Sequence, residues 1–303
     1  MSTIVVLGSG GFLAGHIERH YRGLGWRIVS IGRGVISSGD ELQHAWNLPH
    51  SEFTHLLAVE QPQICVNAAG RASVPASVVE PMADFETSTA LNFRILDDLR
   101  RRSPATVYIH LSSAAVYGDP VALPVREDAE IAPISPYGWH KRLSEMVLEE
   151  HARLFGMHTA SLRIFSTYGT GLKRQVVWDL ISRAIAHPDQ PLMLQGCPVD
   201  SRDFIHASDV ACAVQTVVER GKLSGECYNV ASGIETPLSE IAALVLRLLG
   251  RSARIEFDGR RRPGNPSRWH AEISKVCSLG FSPRVGLEDG IGQLIEEIML
   301  ARG

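Results

Sequence analysis

The sequence predicts an α/β fold, a Rossmann-like, doubly wound parallel sheet with helices on both faces, followed by a smaller, mixed C-terminal lobe. Three observations carry this. Short β-branched apolar runs alternate with amphipathic helical stretches through residues 1–165, the pattern of parallel strands joined by crossover helices. A glycine cluster, Gly8-Ser9-Gly10-Gly11, sits at the first strand–helix junction. After about residue 166 the alternation loosens, with Pro188, Pro191 and Pro198 interrupting it.

Taken in order, Ile4 to Leu7 is a first strand, and Leu13, Ile17, Tyr21 and Leu24 form one face of a helix. Arg27 to Ile31, Gln63 to Asn67, Thr106 to Leu111 and Thr159 to Phe165 read as further strands, with helices near 84–102 and 136–155. Beyond them, Asp203 to His206 and Tyr228 to Ala231 are short strand-like pieces, and 238–249 is helical. A terminal helix carries Leu287, Ile291, Leu294, Ile295 and Ile298 on one face. The expected division is a first domain over 1–165, with an interleaved return near 203–230, and a second lobe over 166–303.

Composition narrows the function. The 303 residues are 45% hydrophobic and 21% charged, with a formal net charge of −3, so no nucleic-acid or membrane-surface partner is expected. No apolar run approaches the roughly 18 residues that span a bilayer. The five cysteines are dispersed without a C-x-x-C pair, which suggests reduced thiols and a cytoplasmic location. Cys65, inside an apolar run, reads as core. His16 and His20 lie four apart but have no third partner, so no metal is expected.

A strand, a glycine turn and a helix N-terminus together make an anion site, because glycine admits a pyrophosphate close to the backbone and the helix dipole favours negative charge. Gly8-x-x-Gly11-x-x-Ala14 fits the dinucleotide pattern better than the register starting at Gly10. Gly8, Gly10, Gly11, Phe12 and Leu13 are therefore candidate cofactor contacts. The second strand ends Ile31-Gly32-Arg33, with no acid to hold an adenosine ribose. Arg33 suits a 2′-phosphate instead, so NADP(H) is favoured over NAD(H).

The fourth strand ends Leu111-Ser112-Ser113-Ala114-Ala115-Val116-Tyr117-Gly118, and Ser135-Pro136-Tyr137-Gly138-Trp139-His140-Lys141 follows. Ser135 suits an N-cap and Pro136 the first helical position. Tyr137 and Lys141, four apart, then share a helix face. Here the chain resembles the extended short-chain dehydrogenases/reductases, in particular the nucleotide-sugar epimerases, dehydratases and reductases. The resemblance spans nearly the whole length. It rests on the glycine turn, Asn67-Ala68-Ala69-Gly70, Ser113 to Gly118, Tyr137-x-x-x-Lys141, Arg163-x-Phe165, Arg202-Asp203-Phe204-Ile205-His206 and Arg262-Pro263-Gly264.

That resemblance implies Tyr137 as acid/base, Lys141 as its partner and a holder of the nicotinamide ribose, and Ser113 as a hydrogen-bond partner of the reacting oxygen. A free phenol titrates near 10, so the Lys141 ammonium is expected to lower Tyr137. It implies Asn67, Ala68 and Ala69 beside the cofactor. Ser166, Arg202 and Arg262 are implied on the substrate, the two guanidinium groups holding its diphosphate. It also implies a homodimer through the helices near 84–102 and 136–155. Family dehydratases carry acids just after the Ser113 position, where this chain has Ala114 and Ala115, so dehydration is not expected. A nucleotide-sugar 4-epimerase acting through a 4-keto intermediate ranks ahead of an NADPH-dependent reductase of a 4-keto-6-deoxy sugar. Ser88, Ser166 and Asn265 depart from the 4-epimerase pattern, where Asn, Asn and Asp are frequent.

Overall fold

The computed structural model describes residues 2–32, 42–45, 51–260, 264 and 266–302. Of the residues singled out above, Arg33, Arg262, Pro263 and Asn265 lie outside them. The first half runs β1 (Thr3–Ser9), α1 (Phe12–Gly23), β2 (Arg27–Gly32), β3 (Leu42–Ala45), α2 (Ser51–Glu60), β4 (Ile64–Asn67), α3 (Val74–Val79), α4 (Pro81–Phe85) and α5 (Leu91–Arg102). Then follow β5 (Val107–Ser113), α6 (Pro136–Phe155) and β6 (Thr159–Ile164). The second half holds β7 (Ser166–Tyr168), α7 (Gln175–Ala186), β8 (Leu192–Leu194), β9 (Ser201–His206), α8 (Ala207–Arg220) and β10 (Ser224–Val230). It ends with β11 (Glu235–Pro237), α9 (Leu238–Leu248), β12 (Ile255–Phe257), α10 (Ser274–Cys277) and α11 (Leu287–Leu300).

Among the described residues the large sheet has the order β10-β6-β5-β4-β1-β2-β3, and every neighbouring pair is parallel. The chain reverses direction across the sheet between β1 and β4, the switch point at which ligands bind in open α/β sheets. Alternate residues of β1 serve opposite faces. Ile4 and Val6 join the core under α1 and α8, whereas Val5 and Leu7 join the core under α2 and α5. Both faces are covered, which is why the strand reads as an unbroken apolar run. A mixed sheet, β11-β9-β7, and a two-stranded pair, β12-β8, lie in the second half. Their core joins α7, α9 and α11 through Leu180, Ile181, Ile241, Val245, Ile291 and Leu294. The connection β9–α8–β10 leads from the small sheet back to the edge of the large one.

Several elements were not foreseen. β3 has the sequence Leu42-Gln43-His44-Ala45. It is an edge strand recognised by backbone pairing to β2, with no apolar pattern to announce it. α2, α7 and α8 were likewise unread. The single helix expected near 84–102 is α4, a π-helical turn at Glu86–Ala90, and α5. No helix among the described residues is long and apolar enough to cross a membrane.

Candidate active site

The glycine turn is shaped by close approaches. Gly8 has φ +93°, and a Cβ there would stand 2.7 Å from the backbone of Ala68 and Ala69 at the end of β4. Gly10 has φ +81°. Gly11 is the N-cap of α1, its N–H donates to the Gly8 carbonyl at 2.9 Å, and no side chain caps the helix. A Cβ on Gly11 would lie 2.8 Å from the Gly8 oxygen. The first amides of α1 thus stay available beside the ends of β1 and β4.

A cleft of about 810 Å³ opens above these strand ends, and Leu13, Ala68, Ala69, Ser113, Tyr137, Lys141, Ser166 and Arg202 all line it. Asn67 does not. Its buried side chain accepts from the Ala69 N–H at 3.0 Å and donates to Asn92 at 3.1 Å, and Asn92 in turn accepts from the Tyr108 hydroxyl. Asn67 therefore braces the loop that lines the cleft. Phe12 packs edge-on to His16 and against the small-lobe core. The His16 Nε2 donates to the Thr170 carbonyl at 2.8 Å, and the His20 Nε2 pairs with Gln215.

Ser113 ends β5, and its Oγ accepts from the Ala115 N–H at 3.2 Å. Ser135 caps α6 by accepting from the Gly138 N–H at 3.1 Å, with Pro136 in the first turn. Tyr137 N–H donates to Ser77 Oγ at 3.1 Å, which ties α6 to α3. A Cβ on Gly138 would stand 2.5 Å from the Ala115 oxygen. Glycine at this position lets α6 press against the turn after Ser113, which brings the Ser113 hydroxyl near enough to the Tyr137 phenol to pull its titration down. Neither Ser77 nor Gly138 had been singled out. A glycine beside the candidate acid/base was the available signal.

Lys141 is 7% exposed. Its Nζ donates to the Leu111 carbonyl at 2.7 Å and stands 5.7 Å from the Tyr137 ring centre. Burial brings it down to about 8, opposed by the carboxylates of Asp84 and Glu145. Tyr137 differs from expectation. Burial pushes its phenol up, the Ser113 hydrogen bond pulls it down, Asp84 pushes it up and Arg174 pulls it down. The Lys141 charge is not what sets it, because desolvation outweighs the nearby polar groups.

Arg163 lies beneath α6, away from the cleft. It pairs with Glu145 through Nε–Oε1 and Nη2–Oε2 contacts of 2.9 Å each. In the cleft wall the Arg202 Nη1 donates to the carbonyls of Ser201 and Ser267 at 2.7 and 3.1 Å, and its guanidinium stacks 5.4 Å from the Trp269 ring. Ala114 and Ala115 follow Ser113 as buried, apolar groups. No three His, Cys, Asp or Glu side chains among the described residues cluster as a metal site.

The model of the NAD dependent epimerase/dehydratase family matches residues 4–231. The chain belongs to that family. Full-length similarity agrees with this assignment. A putative UDP-glucose 4-epimerase of Methanocaldococcus jannaschii is 27% identical over 96% of this chain and 97% of its own length. Among solved structures, UDP-glucose 4-epimerase from Thermotoga maritima, determined with UDP-glucose, superposes with a TM-score of 0.90 at 23% identity, covering 99% and 100% of the two chains. UDP-glucuronic acid 4-epimerase from Bacillus cereus, determined with UDP-glucuronic acid and NAD, gives 0.89 at 22% identity and 99% of each chain. This epimerase/dehydratase family member therefore shares its whole architecture with them.

Proposed function

We propose that this family member is a nucleotide-sugar 4-epimerase that oxidises and re-reduces one sugar carbon. The observation that carries the reading is the convergence of Ser113, Tyr137 and Lys141 in a single cleft that Arg202 also lines. The 4-epimerase names of its relatives favour epimerisation over one-way reduction of a 4-keto-6-deoxy sugar.

The glycine turn fits a dinucleotide, since side chains at Gly8 or Gly11 would fill the space against backbone that the cradle leaves open. Gly8, Gly10, Gly11, Phe12 and Leu13 would hold its pyrophosphate end, Ala68 and Ala69 would flank it, and Lys141 would meet the ribose. When bound, a nicotinamide supplies the acceptor and donor of hydride. Tyr137 takes the proton of the sugar hydroxyl and later returns it. Ser113, which lines the cleft with Tyr137, steadies the sugar oxygen as its charge changes. Lys141, fixed by the Leu111 carbonyl, brings a buried positive charge close to the Tyr137 ring. Arg202 and Arg262 hold the diphosphate while Ser166 faces the sugar. Arg33 and the lack of an acid at the end of β2 keep NADP(H) the favoured dinucleotide, with NAD, the group in the B. cereus structure, as the second.

Exposed Phe93 on α5 and exposed Trp139, Met146 and Phe155 on α6 support a homodimer through these helices. All five cysteines are unpaired, which supports work in the cytoplasm.

The test is a panel of UDP-, dTDP-, GDP- and CDP-sugars with wild type and Tyr137→Phe. Redox-neutral interconversion of 4-epimers, lost in the variant while cofactor binding persists, is the expected result. Stoichiometric NADPH consumption with a 4-keto substrate, or full activity of Tyr137→Phe, overturns the reading.

A further inference from the structure

Beneath the N-terminal turns of α6 lies a carboxylate that none of the recognised motifs contains. Asp84, from α4, is 1% exposed. Its Oδ2 accepts from the His140 Nδ1 at 2.6 Å. Its Oδ1 is buried and has no hydrogen-bond partner. A half-satisfied buried carboxylate is expensive, because the unpaired oxygen gives up its water without replacement. A purely structural tether between α4 and α6 needs no charge. A serine or asparagine would bridge the helices with less desolvation.

The surroundings hold the pair rigidly. The Asp84 carbonyl accepts from Ser88 Oγ at 2.5 Å, and the His140 carbonyl accepts from Thr89 Oγ1 at 3.0 Å and Ser144 Oγ at 2.8 Å. Phe85 packs edge-on to the imidazole. His140 is the residue before Lys141, so the hydrogen-bonded pair and the candidate catalytic face are built on the same helical turn.

We propose that Asp84 and His140 form a positioning couple in which His140 orients the Asp84 carboxylate so that its charge displaces the pH window of Tyr137 and Lys141 upward. The proposal rests on the active-site reading above. Asp84 acts on both members in the same sense, supporting the Lys141 ammonium and opposing the Tyr137 phenolate. The other groups facing them are few. On α6 itself Glu145 also supports Lys141, but its two oxygens are engaged by Arg163 of β6, Ser112 and Arg142. On β5, burial keeps His110 neutral, with the Lys141 charge adding to the effect. Across the cleft Arg174 pulls the phenol down. α3 offers no titratable side chain. Glu86 of the π-helical turn is exposed, and the α5 acids Asp97 and Asp98 bond Arg100 and Thr54. Tyr117 and Cys227, with Arg163, lie on the Glu145 side of α6.

Asp84→Asn keeps an acceptor for His140 and removes the charge. A working enzyme of this kind needs phenolate and ammonium together, so its rate profile is a bell whose two limbs carry the titrations of Lys141, which burial lowers, and Tyr137, which burial raises. Without Asp84 both limbs of the kcat profile should move to lower pH, by about one pH unit. The same displacement should appear without substrate. The ultraviolet phenolate titration of Asp84→Asn, taken as the difference from Asp84→Asn/Tyr137→Phe, should run more acidic than the corresponding wild-type difference. His140→Ala frees the carboxylate to turn away and should give a smaller displacement in the same direction, and His140→Gln, which restores a donor, should return the limbs towards wild type.

Limbs and phenolate titration that coincide with wild type in both Asp84→Asn and His140→Ala, whatever happens to thermal stability, overturn the proposal. If Asp84→Asn does not fold, the His140 pair of variants decides by the same readouts. A displaced phenolate titration in a protein whose Tyr137→Phe variant stays fully active would uphold the couple and refute the catalytic reading, so the two failures are told apart.

Discussion

Replacing Glu145 with Gln removes the negative half of an ion pair that the fold has taken almost wholly out of water. The side chains of Arg163 and Glu145 are 4% and 1% exposed. Two parallel contacts of 2.9 Å join them, Ser112 Oγ donates to Oε1 at 2.7 Å, and the Arg163 Nη1 donates to the Tyr117 hydroxyl and Glu127 carbonyl at 2.8 and 3.0 Å. Glutamine keeps the shape but turns an amide N–H₂ towards a guanidinium and leaves Arg163 as an uncompensated buried cation. Breaking such a pair on one side costs about 3–5 kcal/mol. Unfolding entropy of about 2.1 cal/mol/K per residue gives about 0.6 kcal/mol/K for this chain. The expected fall in Tm is therefore about 5–8 °C, followed by circular dichroism. Arg163→Met alone should lose a similar amount. The double variant Glu145→Leu/Arg163→Met should recover most of it, because the desolvation of both charges disappears with them. A Tm for Glu145→Gln within about 1 °C of wild type would refute the reasoning, since a buried charge would then have lost its partner at no cost.

Two further outcomes follow from local geometry. Gly8→Ala adds a Cβ at φ +93°, 2.7 Å from the Ala68 and Ala69 backbone, so it should abolish dinucleotide binding in a fluorescence titration. Wild-type affinity would remove the glycine cradle as the cofactor site. Burial holds the His16 imidazole at about 4 instead of 6.5, although its bond to Thr170 opposes this. As pH falls, the unfolded chain takes up this proton first. The stability due to His16 is complete above about 6.5 and lost towards 4, on the order of 3 kcal/mol. Urea midpoints of His16→Gln, whose amide retains a donor for the Thr170 carbonyl, should fall less over that interval than those of wild type. Parallel curves would exclude His16 as a source of acid sensitivity.

The contrast between Lys141 and Asp84 marks where reading by pattern stops. The spacing of Tyr137 and Lys141 follows from one helix, and the cap that starts this helix is written in Ser135-Pro136. What the two groups feel is set elsewhere. The phenol, expected to be lowered by the ammonium, is raised instead, because burial is the largest influence on it. Asn67, taken as a cofactor contact from its motif, is committed to the Ala69 amide and Asn92. Asp84 and Ser77 carried no signal beyond being polar residues in a helical stretch.

By itself the sequence determined the first strand, glycine turn and helix, the alternation of apolar runs that demands a covered parallel sheet, and the capped helix that presents Tyr137 and Lys141 together. Each of these is short-range, set by the allowed dihedrals of glycine and proline and by the helix and strand periods. Only the tertiary structure decided that β3 would pair to β2, that Gly138 would let α6 close on Ala115, and that Asp84 would lie against His140. Such features depend on which distant segments meet, and a chain records that in the shape of its packed surfaces, where no local period reveals it.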